Sequence, residues 1–251
     1  MATTSRHEQI IDRLREHGRV DVAELAVELQ TSEVTIRRDL EQLAEAGVLR
    51  RVRGGAVSLM LRGEEQPFAL RELQDRNAKQ RIAARAAALI ADGEAIVIDS
   101  GTTGVAVAAA LASRRLTAMP LSLPAARALA DSSSVELVLP GGTVRHGEGS
   151  FVGAMTEAGL RALRFDTAVL SCCGLSAGVV TAFDLEDAAV KRAAIASAAR
   201  VMLVAEGAKF ARTALAVVAP LTDVDVLLTD GDAPEEALAD LRQAGVEVHR
   251  A

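Results

Sequence analysis

The 251-residue chain has no tryptophan, no tyrosine, two cysteines, four histidines and three lysines. Each scarcity narrows the field. Without tryptophan or tyrosine, intrinsic fluorescence reports little on binding. Cys172 and Cys173 are neighbours in an apolar, strand-like run, where successive side chains point to opposite faces. No disulfide is therefore expected, and both read as buried, inert thiols. His7, His17, His146 and His249 are scattered and no cysteine–histidine spacing suits zinc, so neither a metal nor a cofactor is expected. No apolar run approaches the roughly 20 residues that cross a bilayer. The opening Met-Ala-Thr-Thr-Ser-Arg-His-Glu-Gln-Ile-Ile has no signal-peptide apolar region, and a soluble cytoplasmic protein is the expectation.

Half of the residues are apolar, enough for a sizeable core, and the length exceeds that of a usual single domain. The pattern divides into a first domain over residues 1–58, a linker over 59–78 where periodicity is lost, and a second domain over 79–251. In the first, Asp21 is placed to cap a short helix, with Glu24 completing a capping box. The apolar face of that helix is Val22, Leu25, Ala26 and Leu29. A turn, Gln30-Thr31-Ser32, supplies a second N-cap at Ser32. The next helix buries Ile36, Leu40, Leu43 and Ala44 and ends at Gly47.

Opposite that buried stripe, the first turns of the second helix present Glu33, Val34, Arg37 and Arg38. Two helices joined by a tight turn, with arginines near the start of the second, make a helix-turn-helix. In the major groove arginine pairs with guanine, and a small apolar side chain meets the thymine methyl. The following run, Val48 to Gly55, reads as a hairpin wing whose Arg50, Arg51 and Arg53 lie along phosphates. Charge distribution supports a directed feature rather than a merely solvated face. Residues 1–62 carry ten arginines and ten acids, and within them residues 47–62 carry four arginines and no acid. The rest of the chain holds the entire net charge of −6. Double-stranded DNA is the expected partner.

Beyond the linker, short apolar segments alternate with alanine-rich helical ones. Strands are expected at Ala95–Ile98, Leu116–Met119, Val135–Leu139, Thr167–Ser171, Val201–Ala205, Val224–Leu228 and Val246–Val248. Helices are expected at Lys79–Ile90, Val105–Ser113, Pro124–Ala130, Gly153–Leu163, Asp187–Ala199 and Glu235–Gln243. This order indicates an α/β fold, a mostly parallel sheet covered on both faces. Ligands of such sheets bind at the carboxyl ends of the strands. Four loops there carry glycines, hydroxyls or cations: Asp99-Ser100-Gly101-Thr102-Thr103, Pro140-Gly141-Gly142-Thr143-Val144-Arg145, Cys172-Cys173-Gly174, and Glu206-Gly207-Ala208-Lys209. Singly each is a turn; at successive strand ends they suggest an anion site. Against 25 arginines, the chain keeps lysine only at 79, 191 and 209. Lys209 sits in one of the glycine loops, and Lys191 follows Thr181, Glu186 and Asp187 at the start of a helix, a placement that aims it at the same pocket.

These motifs carry a family resemblance. Arg6-His7, Ser32-Glu33-Val34-Thr35-Ile36-Arg37-Arg38-Asp39-Leu40 and Arg53-Gly54-Gly55-Ala56 resemble the winged helix-turn-helix of the DeoR family of bacterial transcriptional regulators. Asp99-Ser-Gly-Thr-Thr, Pro140-Gly-Gly, Phe151-Val-Gly, Thr181 through Lys191-Arg192 and Lys209-Phe210 resemble its effector domain, which is similar in fold to ribose-5-phosphate isomerase and the coenzyme A transferases. The resemblance implies a repressor of sugar or polyol genes whose operator affinity is set by a phosphorylated sugar or polyol. It places Ser32, Glu33, Val34, Thr35, Arg37, Arg38, Arg50, Arg51 and Arg53 at DNA. It places Asp99, Gly101, Thr102, Thr103, Gly141, Gly142, Arg145, Glu186, Lys191 and Lys209 around the effector.

Two departures stand out. Met119-Pro120-Leu121-Ser122 replaces a family Thr-Asn pair, so an amide is exchanged for a proline without N–H and an apolar leucine. Glu206-Gly207-Ala208-Lys209 lacks the two serines of the family's acid-Ser-Ser-Lys pattern. Two other readings remain open: a ligand-blind regulator whose second domain only dimerises, and a sugar-phosphate isomerase with an accessory winged helix. No acid–base pair is placed by an independent motif, so a non-enzyme is expected. A homodimer or homotetramer held mainly through the second domain fits paired half-sites.

Overall fold

Apolar side chains spaced by three and four residues fold the N-terminal part around three helices. The computed structural model describes residues 3–45, 47–58, 66–176, 178–210 and 212–251. Helix α1 (Thr3–His17) leads through strand β1 (Arg19–Asp21) to α2 (Val22–Glu28) and α3 (Glu33–Glu45), and a hairpin of β2 (Leu49–Val52) and β3 (Gly55–Ser58) follows. The strands pair in the order β1-β3-β2, all antiparallel. Asp21 caps α2 by accepting from the Ala23 N–H at 2.8 Å, and Ser32 caps α3 by accepting from the Thr35 N–H at 3.2 Å. Ile10, Ile11 and Leu14 of α1 pack with Val22, Leu25 and Leu29 and with Ile36, Leu40 and Leu43 in one buried cluster.

The expected linker needs correcting. Its residues 59–65 lie outside the described residues, but α4 (Phe68–Leu73) follows Pro67, and α5 (Arg76–Leu89) has begun by Arg76. Leu70, 1% exposed, joins the core of the N-terminal unit, which extends to Arg76. Six residues make fewer than two helical turns, too few to reveal an apolar period.

The second unit starts at Asn77. After α5 its elements are β4 (Ala95–Ile98), α6 (Thr102–Leu111), β5 (Leu116–Pro120), α7 (Leu123–Ala130), β6 (Val135–Leu137), β7 (Thr143–Val144), β8 (Phe151–Val152), α8 (Ala154–Arg161) and β9 (Phe165–Ser171). Then come β10 (Gly174–Ser176), β11 (Val179–Ala182), α9 (Leu185–Ser197), β12 (Ala198–Val204), β13 (Ala216–Pro220), β14 (Val226–Thr229), α10 (Glu235–Gln243) and β15 (Glu247–Arg250). Seven strands form a parallel sheet in the order β15-β14-β12-β9-β4-β5-β6. Alternate residues face opposite layers, as the pleat requires. Ile96, Ile98, Val169, Met202 and Leu228 pack with α5, α6 and α7, while Val97, Ala168, Leu170, Leu203 and Leu227 pack with α8, α9 and α10.

Chain order reverses in the middle of this sheet. From β4 the chain runs outward through β5 and β6, then returns to place β9 on the other side of β4 and proceeds through β12, β14 and β15. The gap between the carboxyl ends of β4 and β9 is thus the topological switch point, where open α/β sheets hold ligands. Two small antiparallel sheets, β10-β11-β13 and β7-β8, complete the unit and have no counterpart in the expected strands. Cys172 and Cys173 lie in the turn after β9 rather than within a strand, both buried and neither in a disulfide. Burial pushes the Cys172 thiol up to about 12, as an inert thiol requires.

Candidate functional site

In the N-terminal unit, docking α1 and α2 against one side of α3 leaves the other side to solvent. Glu33, Val34, Arg37 and Arg38 are exposed, and Val34 keeps 75% of its surface. Glu33 and Arg37 pair one turn apart at 2.8 Å. Thr35 is half-buried, its hydroxyl 2.8 Å from that of the cap residue Ser32. In the hairpin Arg50 and Arg53 are exposed, whereas Arg51 is half-buried and donates to the Arg37 carbonyl at 3.0 Å. Arg51 therefore seats the wing on α3, a role that its place in an arginine run does not reveal.

Asp39 shares α3 with these residues but is buried, 2% exposed. It accepts from Arg6 through both Nε and Nη2 and from His7 Nε2 at 3.2 Å. The angle of α3 against α1 is thus fixed by a polar lock as well as by apolar packing. Asp39 also holds the Arg6 guanidinium above its ordinary range, chiefly through their hydrogen bond.

In the second unit, the switch point gathers charged side chains that are far apart in sequence. Asp99, at the end of β4, accepts at 2.8 Å from both the N–H and the hydroxyl of Ser171, at the end of β9. Lys191 of α9 contacts the same Asp99 oxygen and lies 3.4 Å from Asp187, one turn earlier on its own helix. Asp187 accepts in turn from the Ser100 hydroxyl at 3.2 Å. Burial opposes the charge on Lys191, yet Asp187 and Asp99 outweigh it and hold the ammonium protonated above its ordinary range.

A second cluster adjoins the first through α6. Thr103, in the first turn of α6, donates at 2.7 Å to Glu206, at the end of β12. Lys79 of α5 lies 3.8 Å from the same carboxylate oxygen, and both side chains are buried. Burial works to raise Glu206, but Lys209, Lys79 and the Thr103 hydroxyl together hold its carboxyl below the ordinary range. Lys79 and Lys191 thus serve the carboxyl ends of β12 and β4, and Lys209 acts on the charge of Glu206. Lys79 was not among the residues expected there. Its only signal in the sequence is that it shares the rarity of Lys191 and Lys209.

Other expected residues have different surroundings. Gly101, with φ of +96°, caps α6, and Thr102 is buried in its first turn. Gly141 and Gly142 serve packing: the Gly141 carbonyl accepts from Thr156 at 2.8 Å, and a Cβ on Gly142 would meet the Thr156 hydroxyl at 2.1 Å. Arg145 lies 3.4 Å from Asp184, the N-cap of α9, and 4.0 Å from Glu148. Glu186 is exposed on the first turn of α9, while its neighbour Asp187 is buried against Lys191. The altered segment at Pro120-Leu121 continues β5 alongside β4, with Leu121 donating to the Ile98 carbonyl at 2.7 Å and packed in the core.

Comparison with known proteins matches these two units separately. Residues 6–60 fit the model of the DeoR-like helix-turn-helix domain, and residues 74–231 fit that of the DeoR C terminal sensor domain. The chain belongs to the DeoR family of DNA-binding transcriptional regulators. Transcriptional repressor AccR of Agrobacterium fabrum is 34% identical over 91% of this chain and 90% of its own. The glycerol-3-phosphate regulon repressor of Escherichia coli is 34% identical over 93% of each, and the transcriptional repressor GlcR of Bacillus subtilis 32% identical over 95% and 93%. A ribose 5-phosphate isomerase structure from Methanocaldococcus jannaschii aligns over 55% of each chain at 14% identity and TM-score 0.41, too loose a likeness to bear on function. No helix among the described residues is long and apolar enough to cross a membrane.

Proposed function

We infer that this DeoR-family member is a repressor of sugar or polyol genes whose operator affinity is set by a phosphorylated sugar or polyol at the switch point of its sensor unit. The observation that carries this reading is the gathering of buried Lys79 and Lys191 at the carboxyl ends of β12 and β4, where Lys79 and Thr103 of the first turn of α6 share the Glu206 carboxylate. Helix N–H groups and ammonium groups together favour a phosphate. The glycerol-3-phosphate repressor among its relatives supports the same ligand class. On DNA, Glu33, Val34 and Thr35 select bases, while Arg37, Arg38, Arg50 and Arg53 hold phosphates. A homodimer or homotetramer presents paired winged helices to repeated half-sites. The sensor unit binds without catalysing: Lys191, 2% exposed between two carboxylates, is committed to structure rather than to moving protons.

The test is titration of the protein onto DNA from its own upstream region, with and without a panel of phosphorylated and unphosphorylated sugars and polyols. One phosphorylated compound is expected to change the DNA affinity, and by linkage DNA changes the affinity for that compound equally. A ligand-blind regulator is the second reading, favoured by the apolar Pro120-Leu121 segment at the carboxyl end of β5. Tight DNA binding that no compound shifts would establish it instead.

A further inference from the structure

The switch point contains a side chain of the wrong sign for the ligand proposed above. Glu206 places a carboxylate against the first turn of α6, where its oxygen accepts the Thr103 hydroxyl at 2.7 Å. That turn is where an incoming anion would be held, because the first N–H groups of a helix have no partner within it. Lys79 lies 3.8 Å from the same oxygen. Glu206 is 5% exposed, so its charge is neutralised by these neighbours rather than by water.

The backbone of the loop that carries Glu206 is held in place, so only the Glu206 side chain can move away from Thr103. The Gly207 N–H donates to Asp230 at 3.0 Å, and a Cβ on Gly207 would meet the Ala233 nitrogen and the Asp232 carbonyl carbon, each at 2.4 Å. The backbone is therefore seated flush on the loop after β14, and the following turn, Gly207–Lys209, brings Lys209 back towards the carboxylate.

We propose that Glu206 is a built-in anion of the effector site, a carboxylate that occupies the hydroxyl and the lysine an effector phosphate uses and must be displaced by it. The proposal rests on the phosphorylated-effector reading and adds its regulation: Glu206 sets the concentration at which the site fills. It also links filling to movement, since displacing Glu206 unfastens α6 from the end of β12.

The experiment is calorimetric titration of inorganic phosphate, at neutral pH, into the full-length protein and its Glu206→Gln and Glu206→Asp variants. Glu206→Gln keeps the shape and removes the competing charge, and phosphate is expected to bind about tenfold more tightly or better, the scale on which one close charge acts. Glu206→Asp keeps the charge but draws the carboxylate back from Thr103, with a smaller gain expected. Equal or weaker phosphate binding by Glu206→Gln would overturn the proposal, because Glu206 would then support the lysines rather than compete for them. Should Glu206→Gln fail to fold by circular dichroism, the Asp variant decides on the same criterion.

Operator titrations separate the two layers. If a phosphorylated sugar shifts the DNA affinity of the unaltered protein and neither variant gains phosphate affinity, the built-in anion is wrong and the effector reading stands. If no variant binds phosphate and no sugar shifts DNA binding, both fall together. Phosphate binding by the variants alone supports the proposal and shows a site held shut by its own carboxylate.

Discussion

Arg6 and Asp39, 33 residues apart, form a forked ion pair with the Arg6 Nη2 3.0 Å from the Asp39 Oδ1, and this pair fastens α1 to α3, whose other side exposes Glu33, Val34, Arg37 and Arg38. Both side chains are largely withdrawn from water, at 11% and 3% exposed. Removing one partner of such a pair leaves the other buried and uncompensated, which costs about 3–5 kcal/mol. Asp39→Ala is therefore expected to lower the stability of the N-terminal unit by about 3 kcal/mol. It should also abolish DNA binding, although Asp39 is buried and away from the exposed side of α3. Urea denaturation followed by far-ultraviolet circular dichroism measures this, since the chain has no tryptophan or tyrosine to report it. A loss below about 1 kcal/mol would mean that apolar packing alone sets the angle of α3.

The wing arginines divide by what they already hold. Arg53 is exposed at the tip of the hairpin, whereas Arg51 donates to the Arg37 carbonyl. Arg53→Ala is expected to weaken binding on all sequences alike and to flatten the slope of log affinity against log salt by about one unit. Arg51→Ala should also weaken binding everywhere, but with a smaller change of slope, because the lost contact is to the protein. Anisotropy titrations of labelled DNA across a potassium chloride series distinguish the two. Equal slope changes would place Arg51 on phosphate after all.

Val34 presents an apolar side chain, 75% exposed, on the first turn of α3. Solvent exposure of that size on a recognition helix suits contact with a thymine methyl. Val34→Ser is expected to cost about 1–2 kcal/mol on operators that offer the methyl and little on the others, which reorders them. Competition binding over a set of single-base operator variants tests this, and a uniform loss would remove Val34 from base selection.

How far the sequence carries depends on whether a feature is local. The stripes Val22-Leu25-Ala26-Leu29 and Ile36-Leu40-Leu43 repeat with helical period, and four-residue apolar runs such as Ala95–Ile98 are bounded by turns, so helices and parallel strands are legible. The partners of polar residues are not. In the sequence Asp39 is one more acid on a charged helix, and only docking of α1 buries it against Arg6 and His7. Lys79 precedes β4, the first strand of the parallel sheet, by many residues, and its contact with Glu206 depends on α5 lying over the sheet beside β12. At Gly141-Gly142 the sequence shows the glycines but not the close approach to Met155 and Thr156 of α8 that they permit. The short pairs β7-β8 and β10-β11 have two to four residues per strand, too few for a period to be read.

The depressed carboxyl of Glu206 has a consequence for acid stability. A group whose folded value lies below its unfolded value stabilises the fold above the unfolded value, roughly pH 4.3 for glutamate. That contribution is lost as pH falls through the folded value. The unaltered protein should therefore lose stability on acidification below about pH 4.3 more steeply than Glu206→Gln, which has no carboxyl to protonate there. Melting temperatures by circular dichroism from pH 6 to pH 3 give the comparison, in which the curves should converge on the acid side. Parallel curves would show that Lys79 and Lys209 do not stabilise the Glu206 charge.

Gly207 decides how the loop after β12 sits. An added Cβ would meet two backbone atoms, the Ala233 nitrogen and the Asp232 carbonyl carbon, each at 2.4 Å, and neither belongs to a side chain that can swing away. Gly207→Ser must therefore push the loop off its seat and strain the bond from the Gly207 N–H to Asp230. Overpacking of this kind costs about 1–3 kcal/mol, whereas Ala208→Ser, at an exposed neighbour, should stay within about 0.5 kcal/mol. Thermal melts of the two variants make the comparison. Because Lys209 ends the same turn, Gly207→Ser should also disturb the charge around Glu206 and flatten the acid limb just described. A Gly207→Ser protein as stable as Ala208→Ser would mean that the loop is free to move, and Glu206 would then need no ligand to leave Thr103.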